Sequence, residues 1–101
     1  MSQEKITVKI DPDLEELIPG FLENRLKDVS NLKSASSSGD FETMRSIGHS
    51  LKGVGGGYGF AMITQLGADI ESSAKTNDIN RINQCISELS DYLQRIEIQY
   101  E

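Results

Sequence analysis

The residue of this chain best suited to nucleophilic chemistry is His49, its one histidine. A neutral imidazole is nucleophilic at cytosolic pH and, unlike a serine hydroxyl, needs no adjacent base. Arg45 stands four residues before His49 and Lys52 three residues after it, so on a helix both cations lie about one turn away. The set is suited to receiving an anionic group such as a phosphoryl group, whose charge Lys52 and Arg45 would offset.

An unusual cluster of five glycines lies between positions 53 and 59. Each costs about 1 kcal/mol relative to alanine in a helix interior, so stability alone does not account for the cluster. On a helical wheel Gly53 and Gly56 share the face of His49, where bare backbone lets another protein approach closely. Gly48 and Gly55 lie beside the apolar stripe and suit close helix packing. The alternative is a mobile glycine-rich loop that carries no chemistry.

The helix that carries His49 is predicted to begin after an Asp40 cap and to end at Gly59, which forms a structural turn. His49 lies almost opposite the apolar stripe of this helix, so its side chain is predicted to face solvent. Glu42 and Ser46 fall on the exposed side and are candidate docking residues. The apolar stripe consists of Met44, Ile47, Leu51, Val54 and Tyr58.

Three further long helices are predicted from apolar spacing. The first should follow a break at Ile18-Pro19-Gly20 and run to about Ala35, with a turn at residues 36–39. The next should span Met62 to Ala74. The last is the most regular, with apolar residues in 3/4 spacing from Ile79 to Tyr100. The apolar positions are Phe21, Leu22, Leu26, Val29 and Leu32; Met62, Ile63, Leu66, Ile70 and Ala74; and Ile79, Ile82, Ile86, Leu89, Leu93, Ile96 and Tyr100.

Residues 1–10 alternate between apolar and polar side chains, which predicts an extended N-terminal arm lying on the domain. Asp11-Pro12 is typical of a capped helix start, so a short helix should follow the arm. Beyond the arm the sequence gives no strand signal. The predicted architecture is all-α: an antiparallel four-helix bundle over residues 11–101, with the short N-terminal helix and the extended arm of residues 1–10.

The charge and composition of the chain disfavour some classes of binding partner and indicate where the protein resides. The net charge of −6 disfavours non-specific binding to nucleic acid or to an anionic membrane. No apolar run is long enough to span a bilayer, and no secretory signal follows Met1. The single cysteine, Cys85, lies among the core positions of the last helix and is expected to be buried and inert. These features predict a cytoplasmic protein.

Other catalytic motifs do not fit. A Walker A motif requires the lysine after the glycine run, whereas Lys52 precedes it. The glycines satisfy no dinucleotide-binding fingerprint, and no predicted strand leads into them. One histidine and one cysteine, His49 and Cys85, make a poor metal site. The sequence also contains no pattern typical of a serine or cysteine catalytic triad. We therefore expect no bound metal and no cofactor.

The segment His49-Ser50-Leu51-Lys52-Gly53, with Gly59 ten residues after the histidine, resembles the motif of histidine phosphotransfer (HPt) domains. The likeness extends from Asp40 to Glu71 and to the preceding helix at residues 21–25. It implies that His49 accepts the phosphoryl group, through Nε2, that Lys52 offsets its charge, and that Gly53 keeps the docking surface clear. The three consecutive glycines at positions 55–57 depart from the family pattern, which more often has alanine or serine at these positions.

The resemblance also implies the partners. A phosphorelay carrier of this kind receives and donates its phosphoryl group through receiver-domain aspartates of response regulators and hybrid sensor histidine kinases. The receiver supplies Mg²⁺ and most of the catalytic groups, so the chain is expected to be a phosphocarrier and not an enzyme with its own kinase domain.

Two alternatives stay open. The domain could be a helical adaptor that docks signalling partners through Gly53 and Gly56 without phosphotransfer. It could also be a piece of a larger hybrid kinase, although the start at Met1 and the lack of a Pro/Ser-rich linker favour a stand-alone carrier. The stripe of the last helix is interpreted as bundle core and not as a dimer seam, which predicts a monomer.

Overall fold

A computed structural model of the chain describes residues 4–101, and in this range it contains four long helices and two strands. The elements in chain order are β1 (Ile6–Ile10), α1 (Ile18–Ser38), α2 (Phe41–Tyr58), α3 (Ala61–Lys75), α4 (Ile79–Arg95) and β2 (Ile96–Tyr100). A single 3-10 turn, Pro12–Leu14, stands where the short helix was predicted. The predicted four-helix bundle is confirmed.

Capping residues set most of the helix boundaries, as the sequence predicts. Asp11 accepts a hydrogen bond from the backbone N–H of Asp13 at the 3-10 turn. Asp40 accepts one from the N–H of Thr43 at the start of α2. At the other end of α2, Gly59 adopts a left-handed conformation with φ 90°, which a residue with a side chain rarely adopts.

The limits of α1 differ from those predicted. Ile18-Pro19-Gly20 begins the helix instead of breaking the chain, because a proline in the first turn lacks only an N–H that has no helical partner there. The helix also runs past Ala35 to Ser38, so the predicted turn at residues 36–39 is reduced to Gly39, with φ 69°.

The largest correction concerns the last helix. It ends at Arg95 instead of continuing to Tyr100, and the chain passes directly into β2, which pairs in parallel with β1. The register places Ile6 beside Ile96 and ends with Ile10 beside Tyr100. The segment of residues 96–100 alternates between half-buried apolar and exposed polar side chains, which suits a strand with one buried face. The prediction of no strand beyond the N-terminal arm is therefore wrong.

Arg95 ties the two strands to the bundle at the junction of α4 and β2. Its Nε donates a hydrogen bond of 2.8 Å to the carbonyl oxygen of Glu4, and its Nη1 lies 3.0 Å from Oδ2 of Asp91. At the far end of the pair, the N–H of Glu101 donates to the carbonyl oxygen of Ile10. The predicted arm is thus the first strand of a small sheet, and residues 1–3 of that arm lie outside the described residues.

One core of apolar side chains joins all the helices and β1. Leu26 and Met62, predicted on core faces, are instead 54% and 43% exposed. On a helical wheel each of them lies roughly 100° from the centre of the buried stripe of its helix, so its side chain falls at the solvent-facing edge. Cys85 is buried as predicted, and burial raises the pKa of its thiol. The core residues are Ile10, Ile18, Phe21, Val29, Leu32, Ala35, Met44, Leu51, Phe60, Ile63, Leu66, Ile70, Ala74, Ile82, Cys85, Ile86, Leu89 and Tyr92.

The N-terminal strand should contribute measurably to stability, because Ile10 is buried against the bundle near Gly59. Replacing Ile10 with valine removes one buried methyl group and should lower the free energy of unfolding by about 1 kcal/mol. The exposed neighbour Lys9 is the matched control. Lys9→Ala should change the free energy of unfolding by less than about 0.5 kcal/mol. Urea unfolding measures both, and equal values for the two variants would show that β1 does not belong to the cooperative core.

No helix within residues 4–101 combines the length and the hydropathy that crossing a bilayer requires.

Candidate functional site

The middle of α2 presents His49 to solvent. The helix begins after the Asp40 cap and buries Met44 and Leu51 completely, so its opposite face is exposed. The side chain of His49 is 70% exposed. The solvent exposure predicted from the helical wheel is therefore confirmed.

A carboxylate from the neighbouring helix joins His49 to Lys52. Oε2 of Glu71, in α3, lies 2.8 Å from Nδ1 of His49, and Oε1 lies 2.8 Å from Nζ of Lys52. The side chain of Glu71 is only 13% exposed, because most of it lies against the helices. One largely buried glutamate side chain thus positions both the imidazole and the ammonium group.

The charge of Glu71 fixes the roles of the two ring nitrogens. Its hydrogen bond with Lys52, followed by that with His49, lowers the pKa of Glu71 from 4.5 to about 2. An ionised carboxylate only accepts hydrogen bonds, so Nδ1 of His49 must carry the proton that they share. Nε2 then keeps its lone pair and has no hydrogen-bond partner among the described residues. The nitrogen available for nucleophilic attack is Nε2.

The lowered pKa of Glu71 predicts a specific acid sensitivity. A carboxylate whose pKa is lowered by folding stabilises the native state above its unfolded pKa, here 4.5, and loses this contribution as the pH falls towards its folded pKa of about 2. The wild type should therefore exceed Glu71→Gln in stability at pH 6, and the difference should shrink between pH 4.5 and pH 2. Urea unfolding across this range measures the difference.

A matched control for this titration is Glu88→Gln on α4. It removes an exposed carboxylate that forms no salt bridge with another residue of the described range. Because no ion pair is lost in this variant, the change in its stability relative to the wild type between pH 4.5 and pH 2 should be smaller than that of Glu71→Gln. A Glu71→Gln difference that stays constant from pH 6 to pH 2 would contradict the ionic network at His49.

Three glycines allow α2 and α3 to meet backbone to backbone. A Cβ atom would lie 2.7 Å from the Glu71 nitrogen if added to Gly48, 2.6 Å from the Thr64 nitrogen if added to Gly55, and 2.5 Å from the Lys52 nitrogen if added to Gly67. Side chains do not tolerate contacts this short, so the predicted packing role of Gly48 and Gly55 is confirmed. This close approach brings Glu71 within hydrogen-bond distance of His49.

Other glycines leave the surface of α2 bare. Gly53 and Gly57, one turn apart, have open space where a Cβ atom would stand. Gly56 is exposed, but a Cβ atom there would lie 3.5 Å from Oγ1 of Thr64, in ordinary van der Waals contact. The bare, solvent-facing backbone of this helix therefore lies at Gly53 and Gly57. The docking role of Gly53 and Gly56 stays a prediction.

A shallow depression lies beside the imidazole and is bounded by side chains of α2 and α3. Of the predicted site residues, Arg45 and Ser46 border it together with His49, whereas Glu42 is exposed in the first turn of α2 and does not. The residues that line the depression are Arg45, Ser46, His49, Glu71 and Lys75.

Glu71, Lys75 and Gly67 were not predicted as site residues, although the sequence holds a signal for them. Gly67, Glu71 and Lys75 follow one another at intervals of four and therefore share one face of α3. Helices α2 and α3 form a hairpin about Gly59-Phe60, so residues equally distant from this turn lie opposite each other. On that count Glu71 stands opposite Gly48, immediately beside His49.

The chain matches the model of a known protein family. The model of a family described as the Hpt domain matches residues 16–99. No curated protein and no solved structure matches the chain at a significant level.

Proposed function

Since the chain belongs to the Hpt domain family, whose members serve histidine phosphotransfer in phosphorelays, we propose that it carries a phosphoryl group on Nε2 of His49. The phosphoryl group is exchanged with the aspartate of a receiver domain. The observation that carries this proposal is the exposed imidazole whose Nδ1 is held by the Glu71 carboxylate. That contact leaves the lone pair of Nε2 free on an open surface.

The proposed transfer is a substitution at phosphorus. The lone pair of Nε2 forms the N–P bond while the P–O bond to the receiver aspartate breaks, and the electron pair leaves with the aspartate carboxylate. The proton on Nδ1 stays in place, so the product ring is a phosphoimidazolium cation. Its positive charge faces the ionised Glu71, 2.8 Å from Nδ1. Glu71 therefore stabilises charge that develops as the bond forms, while it also orients the ring.

The shape of the site favours a carrier over a self-sufficient enzyme. His49 stands on an exposed helix face, and the depression beside it is too shallow to enclose a substrate. A receiver domain docked over Gly53 and Gly57 could reach Nε2 without meeting side chains from these two positions. In this proposal the chain binds no metal, and the receiver supplies the Mg²⁺ and most catalytic groups.

Its partners are the receiver domains of response regulators and of hybrid sensor histidine kinases, and it acts as a monomer in the cytoplasm. The experiment that tests the proposal mixes the protein with a receiver domain that carries a ³²P-labelled phosphoryl group. The label should move to the chain and should be released by acid but resist alkali, as expected of a phosphoramidate. If receivers bind the chain and no label moves, the domain is a docking adaptor and the proposal fails.

A further inference from the structure

The cation of the phosphotransfer motif, Lys52, already has an anionic partner. Lys52 forms an ion pair of 2.8 Å with Glu71, and its side chain is 43% exposed. Glu71 is shared with His49, so the two charges of the Lys52–Glu71 pair cancel before any phosphoryl group arrives. A phosphoryl group adds a charge of about −1.5 to −2 at neutral pH. Lys52 alone therefore does not balance the charge of a phosphorylated His49.

Two further cations border the depression beside His49. Arg45 comes from α2, one turn before His49, and Lys75 comes from the last turn of α3, one turn after Glu71. Neither forms a salt bridge or a side-chain hydrogen bond with another residue between positions 4 and 101. Both side chains are exposed, so they are free to turn towards a new anion.

The charged groups that line the depression are Arg45 and His49 from α2 and Glu71 and Lys75 from α3, and Lys52 adds its charge through the ion pair with Glu71. Their sum, without the imidazole, is three positive charges against one negative charge. The surplus of two arises from Arg45 and Lys75 and matches the charge that a phosphoryl group brings.

We propose that Lys75 is a phosphoryl-binding residue, which together with Arg45 contacts the phosphoryl oxygens once His49 is phosphorylated. This inference rests on the proposed function, because it requires a phosphoryl group on His49. It adds to the site a residue from α3, so that the phosphoryl group would be held between two helices. The cations on both sides would favour the dianionic form of the group.

The test measures the ionisation of the phosphoryl group without any partner protein. The protein is phosphorylated chemically with potassium phosphoramidate, and the ³¹P NMR shift of the phosphohistidine is followed against pH. A nearby cation favours the dianion, so Lys75→Gln should raise the second pKa of the phosphoryl group by about half a unit. Lys75→Arg, which keeps the charge, should titrate like the wild type.

The matched control is Lys33→Gln, which removes an exposed lysine in the groove between α1 and α4. It should leave the titration unchanged. If Lys75→Gln titrates like the wild type, or if Lys33→Gln causes the same shift, Lys75 does not bind the phosphoryl group. Because the loading uses no receiver, this failure is distinct from a failure of the proposed function, which appears as a lack of label transfer from a receiver.

Discussion

Replacing His49 with glutamine is expected to abolish the uptake of label from a phosphorylated receiver, a loss of at least about a thousandfold, because the nucleophile is removed. An amide nitrogen is a poor nucleophile, yet the glutamine side chain can still donate a hydrogen bond to Glu71. His49 is 70% exposed and contributes nothing to the buried core, so the fold should be retained. Phosphoryl transfer followed by gel autoradiography measures the effect.

Two controls make this result interpretable. The circular dichroism spectrum and the urea midpoint of His49→Gln should stay close to those of the wild type. Ser50→Ala removes the exposed hydroxyl next to His49 and should leave label uptake intact. Equal uptake by the wild type and His49→Gln would show that another residue accepts the phosphoryl group.

Adding one methyl group to Gly67 should destabilise the protein strongly. A Cβ atom there would lie 2.5 Å from the backbone nitrogen of Lys52 and 2.7 Å from the carbonyl oxygen of Gly48. Backbone atoms cannot rotate away as a side chain can, so α2 and α3 would have to separate. Gly67→Ala should lower the free energy of unfolding by about 2–3 kcal/mol, despite the better helix propensity of alanine.

The same substitution at Gly53 should have the opposite sign. Gly53 is also helical but has open space where a Cβ atom would stand, so Gly53→Ala should raise the free energy of unfolding by about 0.5–1 kcal/mol. Urea unfolding measures both variants under identical conditions. A stabilised Gly67→Ala variant would contradict the backbone contact between α2 and α3 that places Glu71 beside His49.

The local part of the site was predictable from the sequence, because it depends on the geometry of one helix. Asp40 and Gly59 delimit α2 through capping chemistry, and the apolar stripe fixes the direction in which His49 points. Glu71 was not predicted, since its contact with His49 spans 22 positions and depends on how closely two helices approach. The three packing glycines determine that distance, and Gly67 had not been recognised as one of them.

The C-terminal strand shows why a regular pattern can mislead. Ile96 and Tyr100 continue the 3/4 spacing of α4, but Ile96, Ile98 and Tyr100 also alternate with polar residues as in a strand. Both patterns fit five residues equally well, and the pairing with β1 decides between them. The family match begins at residue 16, so it does not include β1, although Ile10 is part of the core.

¹⁵N and ³¹P NMR of the phosphorylated protein with labelled histidine shows directly which ring nitrogen carries the phosphoryl group. Because the single histidine gives one set of ring signals, the bonded nitrogen can be assigned without ambiguity. We expect phosphorus on Nε2 and a proton on Nδ1, held by Glu71. Phosphorus on Nδ1, or a histidine ring that carries no phosphorus in the labelled protein, would contradict the account.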